Sequence, residues 1–379
     1  MNRKLTGRIR SPFATGSILT IMNKALPAPF RFAIGAALLL FLAAGCASKK
    51  PAPKNYTMFP PSPEEPRLQY LWSYGNETDL GARSKFADFV VGKEREFKPI
   101  VKPYGVAMKR GKIYVCDTQA ANVSIADLAQ HKLRYLKPLG QASFRLPVNI
   151  AVDDDDTCYV TDIGRNEVLI FNKDDLFLGA IGKRGEMRPS GIAIAGNRLY
   201  VSDMTNRCVR VYNKGSRELL FTFPKEKSGE EAKLFGPTNL AIDSKGRVYV
   251  TDTQGFVVKA YDADGNFLRK VGELGVTPGQ FALPKGIAVD HADRFYVVDA
   301  AAPVVQLFDA DGRLLMFFGQ PATSGPGGLY LPAGITINYD SVNAFQQYVA
   351  PGFKLEYVVL VVNQLGPNKV SVYGFLRRT

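Results

Sequence analysis

The chain has 379 residues, 46% of them hydrophobic, so it is long enough for a large fold with an extensive core. Its four cysteines are too few for a disulfide-dense scaffold. The formal net charge is +13, but six of these positive charges fall in residues 1–45, which hold no acid, and the other +7 is spread without a Lys/Arg-rich run. Charge and composition therefore argue against a nucleic-acid-binding role.

The first predicted element is a leader. Residues 32–44 are an uninterrupted apolar run after a basic stretch, too short for a comfortable bilayer span and typical of a signal-peptide core. The run ends in Ala-Ala-Gly-Cys46, which resembles a bacterial lipobox and implies cleavage before an acylated Cys46. We expect residues 1–45 to be a lipoprotein signal peptide, possible starts being Met1 and Met22, and the mature chain to be lipid-anchored in the bacterial envelope at the outer membrane. The alternative is a plain secretory signal with an incidental cysteine.

Two segments separate the leader from the body of the chain. Residues 46–67 contain six prolines and almost no apolar periodicity, which predicts an extended, semi-rigid tether. Residues 68–74 then alternate Leu, Tyr, Trp and Tyr with other residues, which predicts a strand that packs on one face. We expect residues 76–100 to cover one end of the fold, with 87–92 as a short helix or turn.

The rest of the chain repeats every 42–48 residues. Each unit has a proline that opens its first strand and a polar residue that closes its second. The prolines are Pro103, Pro147, Pro189, Pro237, Pro284 and Pro332, and the closing residues are Asp117, Asp162, Asp203, Asp252, Asp299 and Asn363. Residues 236–275 contain four short strands, the last two joined by an Asp-Gly hairpin turn. Six such units predict an all-β, six-bladed β-propeller of four-stranded antiparallel blades.

The sequences of the repeats resemble those of a known family. Leu-Pro-x-Gly-Ile-Ala-Val-Asp at 283–290, Tyr-Val-x-Asp, and residues 203–212 are similar to NHL repeats, over about residues 100–376. That resemblance implies a six-bladed propeller and says little about function. Some NHL-like propellers are zinc lyases that use channel histidines, but this chain has only His131 and His291, both in predicted turns. Related lactonases hold calcium on inner Glu, Asn and Asp residues, and no inner Glu accompanies Asn149 and Asn239 here.

The last unit predicts how the ring closes. It supplies only three strands, at 334–338, 356–363 and 369–376, which leaves one edge unpaired. We expect the N-terminal strand 68–74 to be the outer strand of this blade, so that residues 68–379 form the propeller. The alternative is an unrelated edge strand.

The ring geometry predicts where a ligand binds. Loops before the first strand and between the second and third strands emerge on the same face, and binding residues are commonly found on such loops. Cations on this otherwise neutral rim favour an anionic or hydroxyl-rich ligand, or an acidic partner loop. The candidate binding residues are Tyr104, Asn122, Asn149, Arg165, Asn166, Asn206, Arg207, Asn239, Gln254 and Lys285.

Other patterns favour structural roles. The closing aspartates recur in five blades, so we interpret them as acceptors for backbone N–H groups of the following turn. The Asp-Ala-Asp-Gly sequences at 262–265 and 309–312 are interpreted as hairpin turns rather than calcium loops, and the four aspartates at 153–156 as a solvated turn. With Cys46 acylated, the other three cysteines are expected to be buried free thiols, Cys116, Cys158 and Cys208. We expect no catalytic residue, metal site or cofactor.

These observations predict a lipid-anchored binding or scaffolding module. Its rigid disc would present one loop face to a protein or polysaccharide partner, and we expect a monomer that binds no nucleic acid. One alternative is a hydrolase or lyase with a metal in the central channel, which a polar inner ring would favour. The other is a structural subunit of an envelope assembly, which a flat apolar face would favour.

Overall fold

Six antiparallel sheets form a ring in the computed structural model, which describes residues 55–81 and 98–379. Each blade has four strands in channel-to-rim order, so the predicted six-bladed β-propeller is confirmed. In blades 1 to 3 the strands are Pro103–Lys109, Lys112–Asp117, Asn122–Asp127 and Lys132–Leu136; Pro147–Val152, Cys158–Asp162, Glu167–Phe171 and Phe177–Ile181; Pro189–Ala195, Arg198–Asp203, Cys208–Asn213 and Leu219–Phe223. In blades 4 to 6 they are Pro237–Ile242, Val248–Asp252, Val257–Tyr261 and Phe267–Val271; Pro284–Val289, Phe295–Asp299, Val304–Phe308 and Leu314–Phe318; Pro332–Asn338, Phe353–Asn363, Val370–Arg378 and Leu68–Tyr74.

Hydrophobic packing between neighbouring blades holds the ring together. A separate apolar cluster fills each of the six interfaces between adjacent sheets of the described chain. Between blades 4 and 5, for example, the ring of Tyr249 stacks on Phe295 with centroids 4.9 Å apart. The second strands are buried on both faces, which explains why they are uninterrupted apolar runs in the sequence.

The connections contain only short regular elements in the described residues. The 3₁₀ helices are Glu77–Leu80, Gly140–Ala142, Glu230–Ala232, Val342–Ala344 and Gln346–Tyr348, and a short parallel pair joins Gln320–Pro321 to Gly328–Leu329. Among the described residues, no helix has the length and apolar character needed to cross a membrane.

The N-terminal strand closes the ring as predicted. Leu68–Tyr74 pairs antiparallel with Val370–Arg378, so the last sheet combines both ends of the described chain. The structure adds a fifth strand, Met58–Phe59, which pairs with Gln69 and Leu68. The predicted tether of 46–67 is therefore too long at its C-terminal end. Phe59 explains the difference, because its ring packs against Phe318 and Tyr373 with centroids 6.2 and 6.1 Å away.

The prediction that strand 68–74 packs on one face only is wrong. The register with the neighbouring strand shifts between Tyr70 and Trp72, which marks a β-bulge at Leu71. Leu68 packs toward blade 5, whereas Leu71 and Tyr74 pack toward blade 1. The bulge therefore lets one short strand contribute to the cores on both sides of its blade. The predicted leader, Cys46 and the expected element at 87–92 lie outside the described residues.

Candidate functional site

The two faces of the ring differ in the loops they carry. Each inner strand starts with its proline opposite the residue that closes the second strand, as Pro284 pairs with Asp299. The loops before the inner strands and between second and third strands therefore share one face, as expected, which we call the proline face. The opposite face carries the turns between inner and second strands and is called the turn face.

The closing aspartates bind backbone. Asp299 accepts hydrogen bonds from the amides of Ala282 (2.7 Å) and Leu283 (3.0 Å), which precede the inner strand, and from Ala301 and Ala302 (both 3.0 Å) in the following turn. The same two sets of donors surround Asp117 and Asp162. The structural interpretation is confirmed, and the carboxylate also anchors the loop that enters the inner strand.

Three of the predicted rim residues have partners in an adjacent loop of the proline face. Arg165 donates to Glu167 (2.8 Å) and to the carbonyl of Ser143 (3.0 Å), so this predicted rim cation already has an anionic partner. Asn166 accepts from the backbone of Gly185, and Asn206 donates to the carbonyl of Glu186. The tight turns hold these side chains against neighbouring backbone.

The other rim candidates have different surroundings. Arg207 and Gln254 are exposed on the proline face. Asn122 is only 5% exposed, and its side-chain oxygen has no hydrogen-bond partner among the described residues. None of the three contributes to the cluster at the channel axis described next.

Four sequence-predicted residues meet at the channel, and we call this group the channel neck: Tyr104, Asn149, Asn239 and Lys285. Asn149 Nδ2 donates to Asn239 Oδ1 over 2.6 Å, from blade 2 to blade 4. Asn149 Oδ1 accepts from the amide of Ile150, which identifies Nδ2 as the donor toward Asn239. Asn239 Nδ2 has no hydrogen-bond partner among the described residues, although Asn239 is only 3% exposed.

Glycines explain why side chains from non-adjacent blades can meet there. The position held by Asn149 and Asn239 is glycine in the other four blades: Gly105, Gly191, Gly286 and Gly334. A Cβ on Gly286 would lie 2.4 Å from the carbonyl oxygen of Ala333, and one on Gly191 would lie 2.7 Å from Asn239 Cα. The inner strands therefore approach too closely for other side chains. Beyond the neck, a channel of about 290 Å³ is lined by inner strands from all six blades.

Lys285 is the cation of the channel neck. Its Nζ lies 5.4 Å from the centroid of the Tyr104 ring, a cation–π contact. Burial lowers the pKa of Lys285, and the positive charge of Lys102 lowers it further, while no described carboxylate pairs with it. Burial raises the pKa of Tyr104 to about 12, and the adjacent Asn239 side chain partly offsets that rise.

Buried hydroxyls were missed by the sequence interpretation. Thr251 Oγ1 donates to the carbonyl of Lys285 (2.6 Å), and Thr161 Oγ1 donates to the carbonyl of Ser190 (2.8 Å) in the next blade. These bonds fix the backbone that carries the neck side chains. The signal in the sequence was a threonine or serine before the closing aspartate, at a position that is otherwise apolar.

The aspartates at 153–156 are more than a solvated turn. Lys109 pairs with Asp154 at 2.6 Å and Arg110 with Asp156 at 2.5 Å, and Lys214 pairs with Asp153. These cations belong to blades 1 and 3, whose turns flank blade 2 on the turn face. Neighbouring turns lie close enough for ion pairs, so three of the four carboxylates have a cationic partner.

The histidines and cysteines occupy separate places. His131 and His291 both lie in turns as predicted, the first 2.6 Å from the carbonyl of Leu80 and the second stacked on Tyr339. In the described parts of the chain, no three His, Cys, Asp or Glu side chains form a group that could hold a metal. Cys116 and Cys158 are buried free thiols whose pKa values are raised by burial, whereas Cys208 is half-buried.

Large apolar side chains are exposed on the loops of the proline face. They are Leu139, Phe235, Leu274, Val276, Tyr330 and Leu365. Leu274 and Val276 are 64% and 75% exposed, far more than a packed loop requires. Exposed apolar groups that occur together are typical of interaction surfaces.

Solved structures share the fold at low sequence identity, and no family model matches the chain. A Bacteroides thetaiotaomicron protein of unknown function is 18% identical with a TM-score of 0.57, covering 82% of this chain and 76% of that one. A Xanthomonas campestris gluconolactonase is 16% identical (TM-score 0.51; 82% and 90% covered). An inactive Staphylococcus aureus virginiamycin B lyase with quinupristin is 13% identical (TM-score 0.50; 73% and 95% covered). At these identities the similarity is one of fold, and the likeness to NHL repeats stays a resemblance.

Proposed function

We propose that the protein is a binding module of the bacterial envelope, anchored by lipid at Cys46 and presenting its proline face to a protein or polysaccharide partner. The observation that supports this proposal is the composition of that face, whose loops expose large apolar side chains and whose channel neck contains hydrogen-bond donors. Such a combination suits recognition of an amphipathic surface. A structural subunit of an envelope assembly would use the same face.

The neck favours binding over the hydrolase or lyase alternative. Tyr104, Asn149, Asn239 and Lys285 include no carboxylate or imidazole that could work as an acid–base pair with the lysine. Lys285 instead contacts an aromatic ring. The similarity of fold to lactonases and lyases does not carry their residues to this site.

Capture from native membranes tests the binding role. The tagged full chain should retain a partner that the variant Leu274→Ser/Val276→Ser loses, because this substitution removes the most exposed apolar pair of one loop. Leu220→Ser is the matched control, since Leu220 is 48% exposed but lies on an outer strand. Equal capture by all three chains, or no capture by the wild type, would contradict the proposal.

Fatty-acid labelling tests the anchor. Wild-type chain should incorporate a fatty-acid analogue and sediment with membranes, whereas Cys46→Ser should do neither. Cys208→Ser is the control for a half-buried thiol within the propeller. Label that persists in Cys46→Ser, or a mature N-terminus elsewhere, would show that the anchor is not at Cys46.

A further inference from the structure

The channel neck holds one buried hydrogen-bond donor without a matching acceptor. Asn149 uses its oxygen on the amide of Ile150 and its nitrogen on Asn239 Oδ1. That arrangement leaves Asn239 Nδ2 with no partner among the described residues, in a side chain that is 3% exposed. Native proteins rarely leave such groups unpaired, so an unpaired buried amide indicates a missing acceptor.

The charge at the neck is also unbalanced. Lys285 contacts the Tyr104 ring and pairs with no described carboxylate. The closing carboxylate of the neighbouring blade has a cation of its own, because Asp252 lies 3.4 Å from Lys259 Nζ. The carbonyl of Lys285 accepts a hydrogen bond from Thr251, which fixes the backbone of Lys285 at the neck.

We infer that the channel neck binds one carboxylate group, held between the Lys285 ammonium and the Asn239 amide with the Tyr104 ring beside it. A carboxylate has one negative charge and two acceptor oxygens, which match one cation and one free amide. A metal ion would need acceptors instead of donors.

The inference deepens the proposed function, on which it rests, by naming the group that this face recognises. Two sources share the chemistry: a free small carboxylate, or a carboxylate of the partner, from an acidic side chain, a chain terminus or an acidic sugar. The experiment separates these sources with two arms, so that failure of the inference can be told from failure of the binding role.

The first arm titrates the full chain with sodium acetate and with neutral acetamide at constant ionic strength, following heat and melting temperature. Acetate should bind and raise the melting temperature, and acetamide should do neither. Lys285→Met should weaken acetate binding at least tenfold, as should Asn239→Ala. Lys270→Met is the control, because Lys270 is exposed on the outer strand of blade 4.

A third variant keeps the test decisive if Asn239→Ala fails to fold. Asn239→Asp supplies a carboxylate to Lys285 from within the neck, so it should fold and lose the response to acetate. Acetate binding that is unchanged in Lys285→Met and Asn239→Asp would overturn the inference.

The second arm repeats the membrane capture with Lys285→Met and Lys270→Met. If acetate does not bind but only Lys285→Met loses the partner, the carboxylate belongs to the partner and the inference stands. If neither acetate binding nor capture depends on Lys285, the inference is overturned. In that case, capture that still depends on Leu274 and Val276 leaves the binding role intact.

Discussion

Single carboxylates join the strands of each blade to the loops of the proline face. Asp299 accepts four backbone N–H groups that no strand pairing satisfies. Blade six uses Asn363 instead, whose oxygen accepts from the amide of Tyr330 while its nitrogen donates to the carbonyl of Asn368. An asparagine can therefore replace the aspartate where the loop offers a carbonyl that accepts from the side-chain nitrogen.

Asp299→Ala should lower the free energy of unfolding by about 2–3 kcal/mol, because four partly buried N–H groups lose the carboxylate that accepts from them. Asp299→Asn should lose less, about 1–2 kcal/mol, since one oxygen remains as in Asn363. Denaturant unfolding of both variants measures which of them loses more stability. Equal losses would mean that the charge, not the acceptor oxygens, stabilises the loop.

Lys285, in contrast to Asp299, lowers the stability of the folded state while its side chain is charged. Its lowered pKa means that the unfolded chain binds this proton more tightly than the native state does. The charge therefore opposes folding at pH values below its lowered pKa, and the penalty fades as pH rises toward the ordinary lysine value of 10.5.

Lys285→Met should accordingly raise the melting temperature at neutral pH by about 1–3 °C without ligand, while removing the acetate response. The gain should shrink as the pH approaches 10. Calorimetry on Lys285→Met and Lys270→Met across this pH range checks both the gain in melting temperature and its decrease with rising pH. A variant that melts lower than wild type at neutral pH would show that the contact with Tyr104 outweighs the unpaired charge.

The inner strands are limited by how closely they approach one another. Glycine holds the third position of four of them, because a Cβ there would meet the backbone of the next blade. The two asparagines at the same position follow a shift in strand register that directly precedes them, after Pro147 and Pro237. At this third position of the inner strand, side chains are thus confined to blades 2 and 4.

Gly286→Ala should destabilise the protein by about 2–3 kcal/mol, because its Cβ would lie 2.4 Å from a carbonyl oxygen that cannot move without shifting blade 6. Gly215→Ala is the matched control, since its nearest neighbour would be 3.5 Å away. Unfolding curves for the two variants give the comparison. Similar stability of both would mean that the inner strands can separate without penalty.

At the scale of the whole molecule, one sheet joins the two ends of the described chain. Strand Leu68–Tyr74 pairs with Val370–Arg378, and Trp72 packs against Tyr74 and Phe345 with ring centroids 5.1 and 6.1 Å apart. Breaking this sheet opens the ring and exposes the cores on both sides of blade six. Closing so long a loop costs chain entropy, which the packing on both sides of this blade must offset.

Deletion of residues 66–75 should therefore lower the melting temperature far more than any other short N-terminal deletion. Deletion of 56–65 should have a smaller effect, about 1–3 kcal/mol, from the loss of Phe59 packing on Phe318 and Tyr373. Deletion of 47–55 is the control and should leave melting unchanged. If all three deletions melt alike, the N-terminal strand does not secure the ring.

Much of the site could be predicted because the repeat itself assigns positions. Tyr104, Asn149, Asn239 and Lys285 follow the inner-strand prolines by one or two residues, so the ring brings them to one axis. The side-chain partner of Arg165 could not be predicted in the same way. Arg165 pairs with Glu167, and that contact depends on the backbone conformation of the turn between them. The hydroxyl of Thr251 was overlooked because a threonine in a strand usually reflects β propensity.

The sequence by itself determined the period, the number of blades and the source of the closing strand. These follow from local turn chemistry and apolar runs, together with the edge left unpaired by a three-stranded last unit. Only the tertiary structure decided that Leu71 bulges, that Met58–Phe59 joins the sheet, and that Asn239 keeps an unpaired amide at the channel neck. These features depend on distances between residues far apart in the chain, which no local pattern encodes.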